Sequence, residues 1–313
     1  MKLTSSFGRI STVKADIEML GRCQMTIYKN EHGKRTLEKD YEEYIGTLSF
    51  DVERIFVDTS YGRTHVLAAG PKEAKPVFIF QGGNCINPMT LSWFSSLADS
   101  YRIYAPDTIG HPGFSAEARI SAQDDSFPKW VKELMDHFQL SRCAFVGPSY
   151  GGGIIMRIAA YMPGLIDCAV LVSPAGISLG SKTRMIKDIL LPMVAFKAFS
   201  SEAQLDKLTG IMSGGSMKVR DKEIIGHVFK YVKLEQDMPK ITERHELAGY
   251  QAPTLVIAGK KDVFFPEQSL NPAAKKIISN LTDFKAYEMG HFPSEEYLIK
   301  INEDITAFLS AYY

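Results

Sequence analysis

The sequence predicts an α/β fold: a mostly parallel sheet with helices on both faces, carrying a helical cap and an N-terminal helical extension. Three observations predict it. From Pro76 onward, short apolar runs alternate with segments of helical spacing. A hairpin pattern precedes them over 54–69. Between residues 181 and 250 the alternation lapses into helical spacing alone. The expected organisation is an extension over 1–50, a core over 51–180 and 251–313, and a cap over 181–250.

Composition bounds the function classes. The chain has 313 residues, enough for a sizeable core, and 36 basic residues balance 36 acidic ones. No net charge or long Lys/Arg run draws it to nucleic acid or an anionic membrane. No charge-free stretch is long enough for membrane insertion. The first twenty residues carry charges throughout and lack the apolar core of a signal peptide. Cys23, Cys85, Cys143 and Cys168 show no metal or redox spacing, and reduced thiols fit a cytoplasmic protein.

In chain order, Ile17–Asn30 has the spacing of an amphipathic helix, and Glu38–Ile45 that of a short helical turn. This extension is expected to pack on the body or on a partner, which makes it a candidate homo-oligomer surface. Arg54–Thr59 and Arg63–Ala69 flank a turn at Ser60-Tyr61-Gly62. Pro76–Phe80 is uninterruptedly apolar, as a strand buried on both faces requires. Met89–Leu97 follows as a helix, Arg102–Ala105 as a strand and Ser126–Leu140 as a helix with Pro128 in its first turn.

Cys143–Val146 is the next strand. It stops at Gly147-Pro148-Ser149-Tyr150-Gly151, and a helical pattern runs on to Pro163. A G-x-S-x-G string arises by chance in roughly one chain of this length in ten. Between a strand and a helix it means a nucleophile elbow: a serine on a sharp, strained turn. Gly147 and Gly151 leave room for strand and helix nearly to touch, and Gly152 and Gly153 let the helix lie against the sheet.

Ala169–Val172 is a further strand. Met185–Ala198, Glu202–Met212 and Asp221–Gln236 are the helical segments of the cap. Alternation resumes with a strand at Pro253–Ala258, a helix at Pro266–Ile278, a strand at Phe284–Glu288 and a closing helix at Ser294–Tyr312.

In parallel α/β sheets, reactive groups collect at the C-terminal strand ends. Those ends carry Gln81-Gly82-Gly83, Asp107, Ser149, Asp262 and His291. Ser149 needs a base, and an imidazole suits neutral pH. Of the seven histidines, His291 stands in a Gly-His turn after the last strand. His65 lies inside a strand and His111 in a glycine-rich turn. His32, His137, His227 and His245 lack a strand-end place. Asp262 is the expected orienting carboxylate; Asp107 competes for that role, although its loop reads as a turn held by side-chain-to-backbone bonds. An oxyanion hole needs two main-chain donors, assigned to Tyr150 after the nucleophile and Gly83 after the PVFIF strand.

With these motifs in hand, the chain from about Arg54 resembles the α/β-hydrolases, through Gln81-Gly82-Gly83, the Asp107–Ser115 loop, Gly147–Gly151 and the order Ser149, Asp262, His291. Tyr61-Gly62-Arg63-Thr64-His65-Val66 and Asp107-Thr108-Ile109-Gly110 make it most similar to bacterial carboxylesterases of the naproxen-esterase kind. Gln81 departs from the histidine usual there; the main-chain donors survive the change. The resemblance implies a serine esterase acting on small to medium apolar esters through an acyl-enzyme, without cofactor or metal. Met185, Met193, Phe196, Phe199 and Met212 of the cap, with Phe264 and Phe265, are candidates for its apolar pocket. The alternatives are C–C bond hydrolysis, lactone hydrolysis or perhydrolysis by the same residues, and a ligand sensor with little turnover.

Overall fold

A computed structural model describes residues 26–199 and 201–313. Most of the helix expected over Ile17–Asn30 lies outside these residues, as does Cys23. The described end of that segment is extended: Tyr28 bridges Val232. The expected turn at Glu38 is part of a longer helix, α1 (Glu31–Ile45), started by Asn30, whose side chain accepts the Gly33 N–H at 2.8 Å. It packs on the body through buried Leu37, Tyr41 and Tyr44.

Among the described residues, eight strands form one sheet in the order β1-β2-β4-β3-β5-β6-β7-β8. They are β1 (Glu53–Thr59), β2 (Gly62–Ala69), β3 (Pro76–Ile79), β4 (Arg102–Pro106), β5 (Cys143–Pro148), β6 (Ile166–Val172), β7 (Thr254–Gly259) and β8 (Leu281–Tyr287). The hairpin β1–β2 and the β2–β4 pair are antiparallel. All remaining pairs are parallel.

The unbroken apolar runs reflect burial on both faces. Val146, Val170 and Ile257 join one core cluster, while Phe145, Leu171 and Val256, one residue away in each strand, join the other. On the second face lie α3 (Ser126–His137) and α4 (Tyr150–Tyr161), with Trp130 and Ile154 fully buried, and α8 (Glu267–Ile277). On the first lie α1, the short α2 (Asn87–Ser92) and α9 (Glu295–Tyr312).

Between β6 and β7 the chain runs through an insertion packed on that first face. It comprises a helical stretch over 182–199, α5, π-helical at Met185–Leu190, then α6 (Glu202–Ser213) and α7 (Val219–Tyr231).

Several expected boundaries shift. The helix expected over Met89–Leu97 tightens, with the Trp93 and Phe94 amides bonding three residues back, to Thr90 and Leu91. Gln139, at φ +57°, ends the helix expected to reach Leu140. The helix expected to reach Gln236 stops at Tyr231, because Lys233 N–H donates to Ile27 and Lys29 N–H to Tyr231. Val232 is extended, and residues 233–241 form neither helix nor strand. Among the described residues no helix is long and apolar enough to cross a membrane.

Candidate active site

Ser149 is the single residue between β5 and α4, at φ +50° and ψ −117°, a conformation that costs a non-glycine residue energy and is held by its surroundings. Its N–H donates to Val172 at 2.9 Å, and its carbonyl accepts from Ala175 at 2.9 Å. The flanking glycines are required by space. A Cβ on Gly147 would stand 2.6 Å from the Gly151 carbonyl carbon, and one on Gly151 would stand 2.6 Å from the Phe80 carbonyl oxygen.

The loops after β7 and β8 bring Asp262 and His291 to this serine. His291 Nε2 lies 3.0 Å from Ser149 Oγ, and His291 Nδ1 lies 2.8 Å from Asp262 Oδ2. A carboxylate can only accept, so the imidazole proton sits on Nδ1 and the Nε2 lone pair faces the hydroxyl. Burial by itself would raise the Asp262 carboxyl. The His291 ring and the amides of Phe265 and Phe264, which donate to Oδ1 at 3.1 and 2.7 Å, outweigh it and hold the carboxyl below its ordinary range. The histidine loop is pinned from above by α6, whose Met212 carbonyl accepts from Phe292 at 3.0 Å.

Gly83 and Tyr150 adjoin one another beside Ser149: a Cβ on Gly83 would meet that of Tyr150 at 3.0 Å. Tyr150 opens α4, where a main-chain N–H has no intrahelical partner and the dipole favours negative charge. Beneath this loop Gln81 is fully buried. Its Oε1 accepts from Thr108 N–H at 2.9 Å, and its Nε2 donates to Pro112 at 3.2 Å and to the Cys85 carbonyl. The side chain standing in the place of the usual histidine thus braces the glycine loop against the loop after β4.

The rival carboxylate is engaged elsewhere. Asp107 accepts from the Tyr41 hydroxyl at 2.6 Å, Asn87 at 2.9 Å and Phe114 N–H at 2.7 Å, and it pairs with His65 Nδ1 at 2.9 Å. His65 is buried and structural, with Nε2 accepting from Arg54 at 3.0 Å. His111 is buried against Tyr150; burial, then the Arg119 charge, lowers its pKa to about 3. His227 pairs with Asp40 at 2.7 Å. His32, His137 and His245 stand outside the cavity around Ser149.

That cavity, about 250 Å³, has Ser149 and His291 in its wall. Met185, Met193 and Met212 line it, as do Phe264 and Phe265. The two remaining aromatic candidates do not: Phe196 is buried inside the insertion, and Phe199 is exposed. Sequence reasoning missed Trp93, Ile225, Phe229 and Asn84, which also line the cavity. Helical spacing marks such residues as apolar without telling which face a site; for Asn84 the one signal was its place after Gly82-Gly83. Among the described residues no group of His, Cys, Asp and Glu converges as metal ligands do.

Comparison with known proteins matches residues 75–297 to the family described as alpha/beta hydrolase fold. Carboxylesterase YbfK of Bacillus subtilis is 23% identical over 275 residues, covering 86% of this chain and 92% of that protein. An uncharacterised carboxylesterase, nap, of the same organism is 23% identical over 289 residues, covering 87% and 91%. Among solved structures, naproxen esterase from Bacillus subtilis superposes with a TM-score of 0.77 at 20% identity, covering 90% of this chain and 99% of that one.

Proposed function

Starting from the fact that this chain belongs to the alpha/beta hydrolase fold family, we propose that it is a serine carboxylesterase acting on small to medium apolar esters, with residues 181–250 as its cap. The observation that carries this reading is the row Asp262–His291–Ser149, at 2.8 and 3.0 Å, in the wall of an apolar cavity. The names of its Bacillus relatives support the same reaction class.

In the proposed cycle Ser149 Oγ attacks the ester carbonyl carbon while His291 Nε2 takes the hydroxyl proton. Negative charge gathers on the carbonyl oxygen, and the amides of Gly83 and Tyr150 are the donors placed to receive it. Asp262 holds the imidazolium and its tautomer. His291 returns the proton to the departing alkoxide, which leaves as the alcohol. Water, deprotonated by the same imidazole, then attacks the acyl-enzyme; the acid departs and the serine is restored. No step calls for a cofactor.

The test is hydrolysis of p-nitrophenyl butyrate with labelling by a fluorophosphonate probe. Ser149→Ala is expected to lose both, turnover by at least about a thousandfold, while melting like the parent. A Ser149→Ala protein that still turns over ester at the parental rate removes the assignment.

A further inference from the structure

Helix α5 is apolar on two sides. Met185, Ile189 and Met193 line the cavity. On its solvent side Ile186, Leu190, Leu191 and Val194 stand 46–59% exposed, and Phe199 at the helix end is 79% exposed. Positions 186, 190 and 194 are four apart and form one stripe. A surface helix ordinarily turns a polar face outward, and a contiguous apolar patch marks a contact. The patch continues into the cavity: Leu179, just before the helix, is 43% exposed and also belongs to the cavity wall.

The charges carried by this segment are mostly of one sign. Residues 179–199 hold Lys182, Arg184, Lys187 and Lys197 against the single acid Asp188, which lies 3.6 Å from Arg184. Lys29 adds to the far end: after burial, its charge is what lowers the Lys197 ammonium. The overall balance of 36 basic and 36 acidic residues conceals this local excess.

Two occupants from this chain itself would bring more positive charge. A second copy across a two-fold axis would set the same cations against one another. Residues 1–25 carry Lys2, Arg9, Lys14 and Arg22 against Asp16 and Glu18. An anionic lipid–water interface supplies both things the face lacks, an apolar phase for the stripe and negative charge for its lysines. We propose that the outer face of α5 seats on such an interface, with the cavity mouth at Leu179 beside the apolar phase. The esterase would then draw substrate from lipid rather than from water alone.

The test uses the full chain carrying Ser149→Ala, so that binding is read without turnover and independently of the esterase reading. It is sedimented with vesicles of phosphatidylcholine mixed with phosphatidylglycerol, and with vesicles of phosphatidylcholine alone. Expected is partition onto the mixed vesicles, falling as salt rises, and little onto the neutral ones. Leu191→Glu with Val194→Glu is expected to weaken partition about tenfold or more, and Lys187→Glu to flatten its salt dependence. With Ser149 present, the double variant is expected to hydrolyse a soluble ester at the parental rate, since neither residue lines the cavity; this also checks folding. Indifference to both vesicles overturns the proposal, and equal partition onto both overturns the anionic assignment. A dimer that Leu191→Glu dissociates would assign the face to a second copy. Vesicle binding that appears only after residues 1–25 are deleted would assign it to that segment. Either result also overturns the proposal.

Discussion

The side chain of Asn84 grips the backbone of Glu235 twice: its Oδ1 accepts the Glu235 N–H at 2.7 Å, and its Nδ2 donates to the Glu235 carbonyl at 3.2 Å. Asn84 follows Gly83, stands at φ +52°, and donates its own N–H to His111 Nδ1 at 3.3 Å. Two residues beyond Glu235, the Asp237 carbonyl accepts from the Tyr150 hydroxyl at 3.2 Å. The segment leaving α7 is therefore tied to both walls of the proposed oxyanion hole. Asn84→Gly keeps the positive φ accessible and removes both side-chain bonds. We expect kcat on a soluble ester to fall about tenfold while KM moves little, the cost of about 1.4 kcal/mol in donor alignment. Tyr150→Phe is expected to cost less. If one segment aligns both donors, the double variant loses less than the product of the single effects. Steady-state kinetics with a thermal melt on each variant provide the check; an unchanged kcat in all three sinks the coupling.

Asp262→Asn tests which nitrogen carries the proton. Oδ1 of residue 262 already receives the Phe264 and Phe265 amides. An asparagine is expected to keep its carbonyl oxygen there and turn its NH₂ toward His291 Nδ1. That nitrogen must then accept, the ring proton moves to Nε2, and the base facing Ser149 is blocked. The expected loss in kcat is about 10³–10⁴-fold, with Ser149 and His291 still in place. Kinetics beside the melting temperature separate this from misfolding, and a loss below about tenfold would contradict the tautomer.

His111 gives a prediction for stability against pH. Burial lowers its folded pKa from 6.5 to about 3. The folded state thus holds His111 neutral where the unfolded chain binds a proton, so its contribution is fully present above pH 6.5 and is lost progressively as pH falls toward 3. The expected loss is about 2 kcal/mol by pH 5. His111→Gln retains an acceptor for the Asn84 N–H and cannot titrate. Its denaturation midpoint is expected to fall less than that of the parent between pH 7 and 5; parallel curves would exclude this role.

The residues legible in the sequence share one property: each stands at, or in the short loop just past, the C-terminal end of a strand. Ser149, Asp262 and His291 stand at the ends of β5, β7 and β8, where a parallel sheet gathers reactive groups. The glycines beside Ser149 were legible too, because the close approach they permit is local. What stayed hidden depends on contacts between distant segments. The bridge between Tyr28 and Val232 takes the chain out of the helix after Tyr231, and helical spacing in Asp221–Gln236 argued the other way. Without that non-helical segment, the grip of Asn84 on Glu235 could not be foreseen. Asp107 was legible as a turn former, yet its bonds to Tyr41 and His65, which remove it from contention as the orienting carboxylate, join three separate stretches of chain.

The cavity wall makes the last prediction. Among the described residues its lining holds no lysine, arginine, aspartate or glutamate. A substrate with a carboxylate on its acyl chain would bury that charge among Met185, Met193, Ile225 and Phe229 without a partner. A neutral butyrate ester is therefore expected to exceed the hemisuccinate ester of the same alcohol by at least about a hundredfold in kcat/KM. Met193→Lys places an ammonium at the end of a long apolar stem within that wall. It is expected to lower kcat/KM for the butyrate and raise it for the hemisuccinate, narrowing or reversing the ratio while the melting temperature records any cost to packing. Competition between the two esters in one reaction measures the ratio directly. Equal use of both by the parent enzyme would mean that the acyl chain is not held by this wall at all.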